Sequence, residues 1–242
     1  MAEIEIYPDV DRLALAAAEK FAELAQAAIA AQGYFAVAVS GGATPKPLFA
    51  LLAEERRAES IDWTRVLVFW VDERCVPPDH ADSNYRLAET TWLRHVPIPA
   101  ANIHRMMGEI DPIQAAEQYE TTLRAAFPEM AVPSFDLILL GLGEDGHTAS
   151  LFPDTAVIKE YERWVAAHYV AKLAAWRITL TPVILNAARQ VIFLVTGTNK
   201  AERLKEVLEG PYDPQRLPAQ IVQPEHCEAT WLVDAEAGAL LI

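Results

Sequence analysis

The chemistry in this chain concentrates in Gly141-Leu142-Gly143-Glu144-Asp145-Gly146-His147-Thr148-Ala149-Ser150-Leu151-Phe152-Pro153, where an acid and an imidazole lie two positions apart among three glycines. An imidazole can take a proton from water and return it near neutral pH, and a carboxylate beside it can orient the ring. Gly141, Gly143 and Gly146 let the backbone adopt positive φ and approach a ligand closely. The same residues also fit a plain strand-end turn with an Asx-turn at Asp145. The preceding run, Phe135-Asp136-Leu137-Ile138-Leu139-Leu140, has the length and apolarity of a strand buried on both faces. The loop therefore sits at a strand's carboxyl end, where open α/β sheets bind their ligands.

Three further strand ends carry polar residues. Tyr34–Val39 runs into Ser40-Gly41-Gly42-Ala43-Thr44-Pro45. With Thr44 as N-cap and Pro45 at the first position of a helix to about Glu55, the glycine N–H groups, the hydroxyls and the helix's positive end fit an anion cradle, and also a common βα turn with no ligand. The loop is neither a Walker A nor a Gly-x-Gly-x-x-Gly motif, so neither ATP nor NAD is indicated and no cofactor is expected. Val66–Val71 ends in Asp72-Glu73-Arg74, either a solvated strand end with an internal ion pair or part of a site. Val191–Val195 ends in Thr196-Gly197-Thr198-Asn199-Lys200, and a lysine in the first turn of the next helix is either a plain surface lysine or one with an anion near it. Clusters at the ends of several strands would line one edge of one sheet, so that Thr44, Asp72, Arg74, Asp145 and His147 converge.

The remaining elements are scaffold. Ile4–Tyr7 reads as a short strand, followed by a helix that Asp9 or Asp11 caps, with Leu13, Ala16, Ala17, Leu24 and Ala28 at helical spacing and Gly33 at its end. Ser83 caps a helix to about His95, and Asp111-Pro112 opens another to about Phe127. Trp164–Val170 fits a strand or a helix end. Arg177–Thr181 alternates as a strand, and Thr181-Pro182 repeats the cap-plus-proline helix start. The tail holds a closing strand near Ala229–Val233. No repeat or linker divides the chain, so residues 1–242 are expected to form a single domain.

Composition bounds the function. With 52% hydrophobic residues the chain has material for a large core, yet no run approaches the roughly 18 apolar residues that span a membrane. The opening Met1–Val10 is mixed and acidic, so no secretory leader is expected. Cys75 and Cys227 are too few and too far apart for a disulfide framework or a zinc site, and Asp145 and His147 lack further ligands at metal spacing; a cytoplasmic, metal-free protein is expected. A formal net charge of −14 argues against a nucleic-acid partner and would repel an anionic substrate. Any phosphate site must therefore build its own positive pocket.

Taken together, the Gly141–Pro153 stretch, Ser40-Gly41-Gly42-x-Thr44-Pro45, Asp72-Glu73-Arg74 with Val76-Pro77 and Ser83-Asn84-Tyr85, and Asn102-Ile103-His104-Arg105-Met106 resemble the 6-phosphogluconolactonases. The glucosamine-6-phosphate deaminases share the Gly-x-Asp-Gly-His part, but they carry a Glu five residues past the His, where Phe152 stands here. Deaminases also typically lack the arginine after Asp-Glu. Asp154 departs from the Gly common in lactonases, and Trp176 from a basic or proline-rich position. The resemblance implies an α/β fold, a mostly parallel sheet flanked by helices on both faces, and hydrolysis of 6-phospho-D-glucono-1,5-lactone to 6-phosphogluconate. It implies His147 as general base, Asp145 or Asp72 orienting it, and Arg74 at the oxyanion or the phosphate. Ser40, Gly41, Gly42, Thr44, Arg177 and Lys200 would hold the substrate. The partner expected is a small sugar-phosphate lactone, bound by a monomer or weak homodimer. An amino-sugar-phosphate isomerase or deaminase and a non-catalytic sugar-phosphate sensor are the alternative readings.

Overall fold

The computed structural model describes residues 3–241. Strand β1 (Glu3–Tyr7) leads to the long helix α1 (Val10–Gln32). Asp9 caps it, its side chain accepting from the Arg12 N–H at 2.8 Å, and Gly33 ends it at φ +87°. Leu13 and Ala17 lie in the buried face with Phe21 and Ala25, whereas Ala16, Leu24 and Ala28 form its half-buried margin. Then follow β2 (Phe35–Val39), α2 (Pro45–Leu52), α3 (Glu55–Ala58), β3 (Val66–Trp70), β4 (Asp72–Arg74), α4 (Asn84–Thr91), β5 (Ile103–His104) and α5 (Pro112–Ala126). The second half comprises β6 (Leu137–Gly141), β7 (Val165–Val170), β8 (Ala175–Leu180), α6 (Pro182–Asn186), β9 (Val191–Val195), α7 (Ala201–Glu209) and β10 (Thr230–Asp234).

Seven strands form one parallel sheet in the order β1-β10-β9-β6-β2-β3-β5. Strands β2, β9 and β10 are buried along their whole length, which requires cover on both faces; the helices supply it, and the fold is α/β. From β2 the chain runs to β3 and β5 on one side, while β6 and β9 lie on the other, so the order reverses between β2 and β6. A crevice opens beyond the carboxyl ends of strands at such a reversal.

The expectation that Asp72-Glu73-Arg74 ends a strand of the same sheet is corrected by the structure. These residues form β4, which pairs antiparallel with β8 in a second sheet, ordered β4-β8-β7. Val71 joins the two sheets: its N–H bonds the Val39 carbonyl at 3.0 Å, and its own carbonyl accepts from Leu180 N–H at 2.7 Å. Within Trp164–Val170 the structure forms a strand, β7 (Val165–Val170), rather than a helix end.

Thr44 and Thr181 hold the expected N-cap positions but make no side-chain cap bond. Thr44 is helical at φ −63° and its hydroxyl caps nothing; it lies 3.2 Å from the Thr196 hydroxyl. Thr181 donates to the Arg163 carbonyl at 2.6 Å. Proline at the first helical position starts both helices without them. Helix α2 also stops at Leu52, short of Glu55, and α4 stops at Thr91, with a tight turn at Leu93–His95 completing the expected span. Among the described residues no helix is long and apolar enough to cross a membrane.

Glu73 holds β4 in place. Strand alternation turns it away from Asp72 and Arg74, and it is 2% exposed. Its carboxylate accepts from the backbone N–H groups of Arg74 and Asn84, both at 2.8 Å, of Tyr85 at 2.9 Å, and from the Ser83 hydroxyl at 3.1 Å. It so serves the start of α4 together with Ser83, whose Oγ accepts from Arg86 N–H at 3.1 Å. Glu73→Ala leaves buried donors without an acceptor and is expected to destabilise the fold by about 3 kcal/mol. A lower urea midpoint with an unchanged slope checks this; a loss below about 1 kcal/mol would mean water replaces the carboxylate.

Candidate active site

A cavity of about 720 Å³ opens at the β2/β6 reversal, and every residue expected in the site lines it: Ser40, Gly41, Gly42, Thr44, Asp72, Arg74, Asp145, His147, Arg177 and Lys200. The loops after β2, β6 and β9 supply one wall, and β4 with the β7–β8 hairpin supplies the other. Two sheets rather than one bring these groups together.

The loop after β6 is shaped around His147. Gly146 makes the turn at φ +85°, whereas Gly141 and Gly143 do not use positive φ. Gly143 is needed for space, since a Cβ there would lie 2.0 Å from the imidazole Nδ1. Asp145 accepts twice from His147, at Oδ1 from Nδ1 at 2.5 Å and from the backbone N–H at 3.2 Å. The tautomer follows from this pairing, because an ionised carboxylate only accepts; Nδ1 carries the proton and Nε2 is left to accept one. Phe152 stacks on the ring with centroids 4.2 Å apart. Burial pushes the Asp145 carboxyl up, but the hydrogen bonds from His147 and Lys172 outweigh it and hold the group well below its usual range. Ala149 lines the cavity at φ +48°, and Asp154, where lactonases commonly have Gly, takes φ +58°. A short polar side chain tolerates that conformation, which accounts for the exchange.

Asp72 does not meet the imidazole. Its Oδ2 accepts from the Ser150 hydroxyl at 2.7 Å and its Oδ1 from Asn84 Nδ2 at 3.3 Å, so Asp145 is the partner of His147. Asn84 also fixes the glycine loop, because a Cβ on Gly41 would lie 1.8 Å from its Oδ1, and Gly42 completes the turn at φ +98°. Asn84, Ser150 and Lys172 escaped the sequence reading. Asn84 and Ser150 stand inside quoted motifs, but only the folded chain brings them to Asp72, and Lys172 has no motif around it.

Arg74 and Arg177 are paired across β4 and β8. Arg74 donates to the Asp82 carbonyl at 2.7 Å, while its buried Nε has no partner. Burial, then the like charge of Arg74, presses Arg177 below its ordinary value. Burial lowers Lys200 as well, and Glu144 and Asp145 only partly offset it. Among the described residues none of these three cations has a carboxylate within 4.0 Å. The cavity's acids are engaged elsewhere: Asp72 as above, Asp145 by His147 and Lys172, and Glu144 by Asn199 Nδ2 at 2.6 Å. Inside a chain of net charge −14 the pocket thus presents unpaired positive charge, backbone N–H groups and hydroxyls to an anion. Trp176, next to Arg177, faces outward against Tyr169.

The family described as "Glucosamine-6-phosphate isomerases/6-phosphogluconolactonase" matches residues 8–231. A 6-phosphogluconolactonase of Synechocystis sp. is 46% identical over 214 residues, 87% of this chain and 86% of that protein. One from Nostoc sp. is 40% identical, with 98% of each chain covered. The solved 6-phosphogluconolactonase of Trypanosoma cruzi superposes with a TM-score of 0.87 at 30% identity, covering 100% of this chain and 97% of the other.

Unpaired cations make a quantitative expectation. Inorganic phosphate should bind with a dissociation constant that rises with ionic strength, and Arg177→Ala should weaken it about tenfold. Titration calorimetry at low salt checks this; equal binding by the variant would place the anion away from β8.

Proposed function

The chain belongs to the family of glucosamine-6-phosphate isomerases and 6-phosphogluconolactonases, and from that premise we propose that it is a 6-phosphogluconolactonase. It hydrolyses 6-phospho-D-glucono-1,5-lactone to 6-phosphogluconate, a step of the oxidative pentose phosphate pathway. The observation that carries the choice within the family is Phe152, packed on the His147 ring at the position where deaminases place a glutamate. A phenyl group cannot carry the proton that amino-sugar ring opening requires there, whereas lactone hydrolysis needs only one group that moves protons.

In the proposed mechanism Nε2 of His147 takes a proton from water as the oxygen attacks the lactone carbonyl carbon. Asp145 holds the ring by Nδ1 and stabilises the imidazolium. The tetrahedral oxyanion collapses, the bond from the carbonyl carbon to the ring oxygen breaks, and the imidazolium returns its proton to that oxygen. The substrate brings a phosphate and develops an oxyanion, and the pocket answers with Arg74, Arg177 and Lys200. Ser40, Gly41, Gly42, Thr44 and Lys200 grip the phosphate, and Asp72 holds Ser150 and Asn84 in the wall. The reading includes a single domain working in the cytoplasm as a monomer or weak homodimer. One chain supplies all ten proposed residues, so no second copy is needed to complete the pocket.

Acid release from fresh lactone, above its spontaneous hydrolysis, tests the activity, and ammonia release from glucosamine 6-phosphate would instead favour the deaminase reading. His147→Ala should lower kcat on the order of 10²-fold or more with little change in KM. Turnover within a few-fold of wild type would remove the imidazole from the base role. Lys200→Ala should raise KM about tenfold at nearly constant kcat, and an unchanged KM would make Lys200 a bystander.

A further inference from the structure

The β7–β8 hairpin turns over at Ala171–Leu173, and Lys172 at its tip reaches the rim of the cavity. The turn is tight: Ala174 N–H bonds the Ala171 carbonyl at 3.1 Å, and Ala174 itself is left-handed at φ +48°. From there Lys172 Nζ donates to Asp145 Oδ2 at 2.9 Å. The other oxygen of the same carboxylate is the one that holds His147. Each oxygen of Asp145 therefore has its own cross-link, and the carboxylate cannot rotate without breaking one.

The Lys172 side chain is 67% exposed, and an ion pair so exposed contributes little to stability. Its effect lies in what it touches. The charged and titratable groups that act on Asp145 are His147 from its own loop, Lys172 from the hairpin and Lys200 from the turn before α7. Lys172 is the one among them whose ammonium is bonded to the carboxylate opposite the imidazole.

We infer that Lys172 is a positioning residue for the hydrolysis, fixing the plane of Asp145 so that His147 presents Nε2 to water. This rests on the lactonase reading. Because Arg177 stands on the same hairpin, one rigid two-stranded unit sets both a substrate cation and the orientation of the base.

Lys172→Met, Lys172→Arg and wild type should be compared on fresh 6-phosphogluconolactone from acid to neutral pH. Lys172→Met should lower kcat on the order of tenfold with KM within about twofold. Lys172→Arg should recover most of the loss, and both variants should melt within about two degrees of wild type. Wild type without lactone hydrolysis would sink the functional reading and this inference with it. Active wild type with an unchanged kcat in Lys172→Met, whatever its KM, or with no recovery in Lys172→Arg, would overturn the inference alone.

Discussion

The structure depends on keeping cations without counter-ions inside an acidic protein. Arg74, Arg177 and Lys200 stand in a cavity of a chain whose net charge is −14, and the carboxylates near them are already bound to other partners. Long-range attraction cannot bring a phosphorylated substrate here, since the overall field opposes it. Recognition must come at short range, from desolvated positive groups that an anion relieves. The lowered Arg177 and Lys200 are the physical sign of that state. It also sets a demand on the surroundings, because a single idle acid in the pocket would pair with one of these cations and fill the site with the protein's own charge.

Meeting that demand takes two sheets. A parallel sheet alone offers loops at its carboxyl edge, and the loops after β2, β6 and β9 supply the glycines, the imidazole and Lys200. The guanidinium pair comes from antiparallel strands, whose register sets Arg74 opposite Arg177. Val71 bonds to both sheets and so fixes the distance between these two sources, while Glu73 ties β4 to the start of α4. Like charges side by side would drift apart on loops. On paired strands they are held.

Strands with long apolar runs were legible because burial on both faces leaves a plain signature, as in Tyr34–Val39 and Val191–Val195. Most of the candidate site residues could be singled out because they follow such runs in short motifs. The second sheet was not, because β4 is three residues long and carries Asp, Glu and Arg, a composition that reads as a strand end. Its strand character comes from β8 and from the Glu73 anchor, both distant in sequence. Thr44 and Thr181 misled for a related reason: threonine before proline has the composition of a cap, but each hydroxyl found a tertiary partner instead. Lys172 carries no local signal at all, since only the folded hairpin brings it to Asp145.

On the proposed reading, the choice between hydrolysis and deamination turns on what faces the His147 ring. Fold alone does not decide between hydrolysis and deamination. Phe152 is buried and lies flat on His147, closing one side of the ring and leaving the nitrogen edge to act. A carboxylate at this position would bring a second proton carrier against the imidazole, which serves ring opening of an amino sugar but is superfluous where one group can take water's proton and hand it to the departing ring oxygen. Gly143 enforces the same arrangement from below, because no side chain fits between it and Nδ1. With Asp145 at one nitrogen and phenyl on one face, Nε2 is the part of the ring left open, and on the proposed reading that is the atom that takes water's proton.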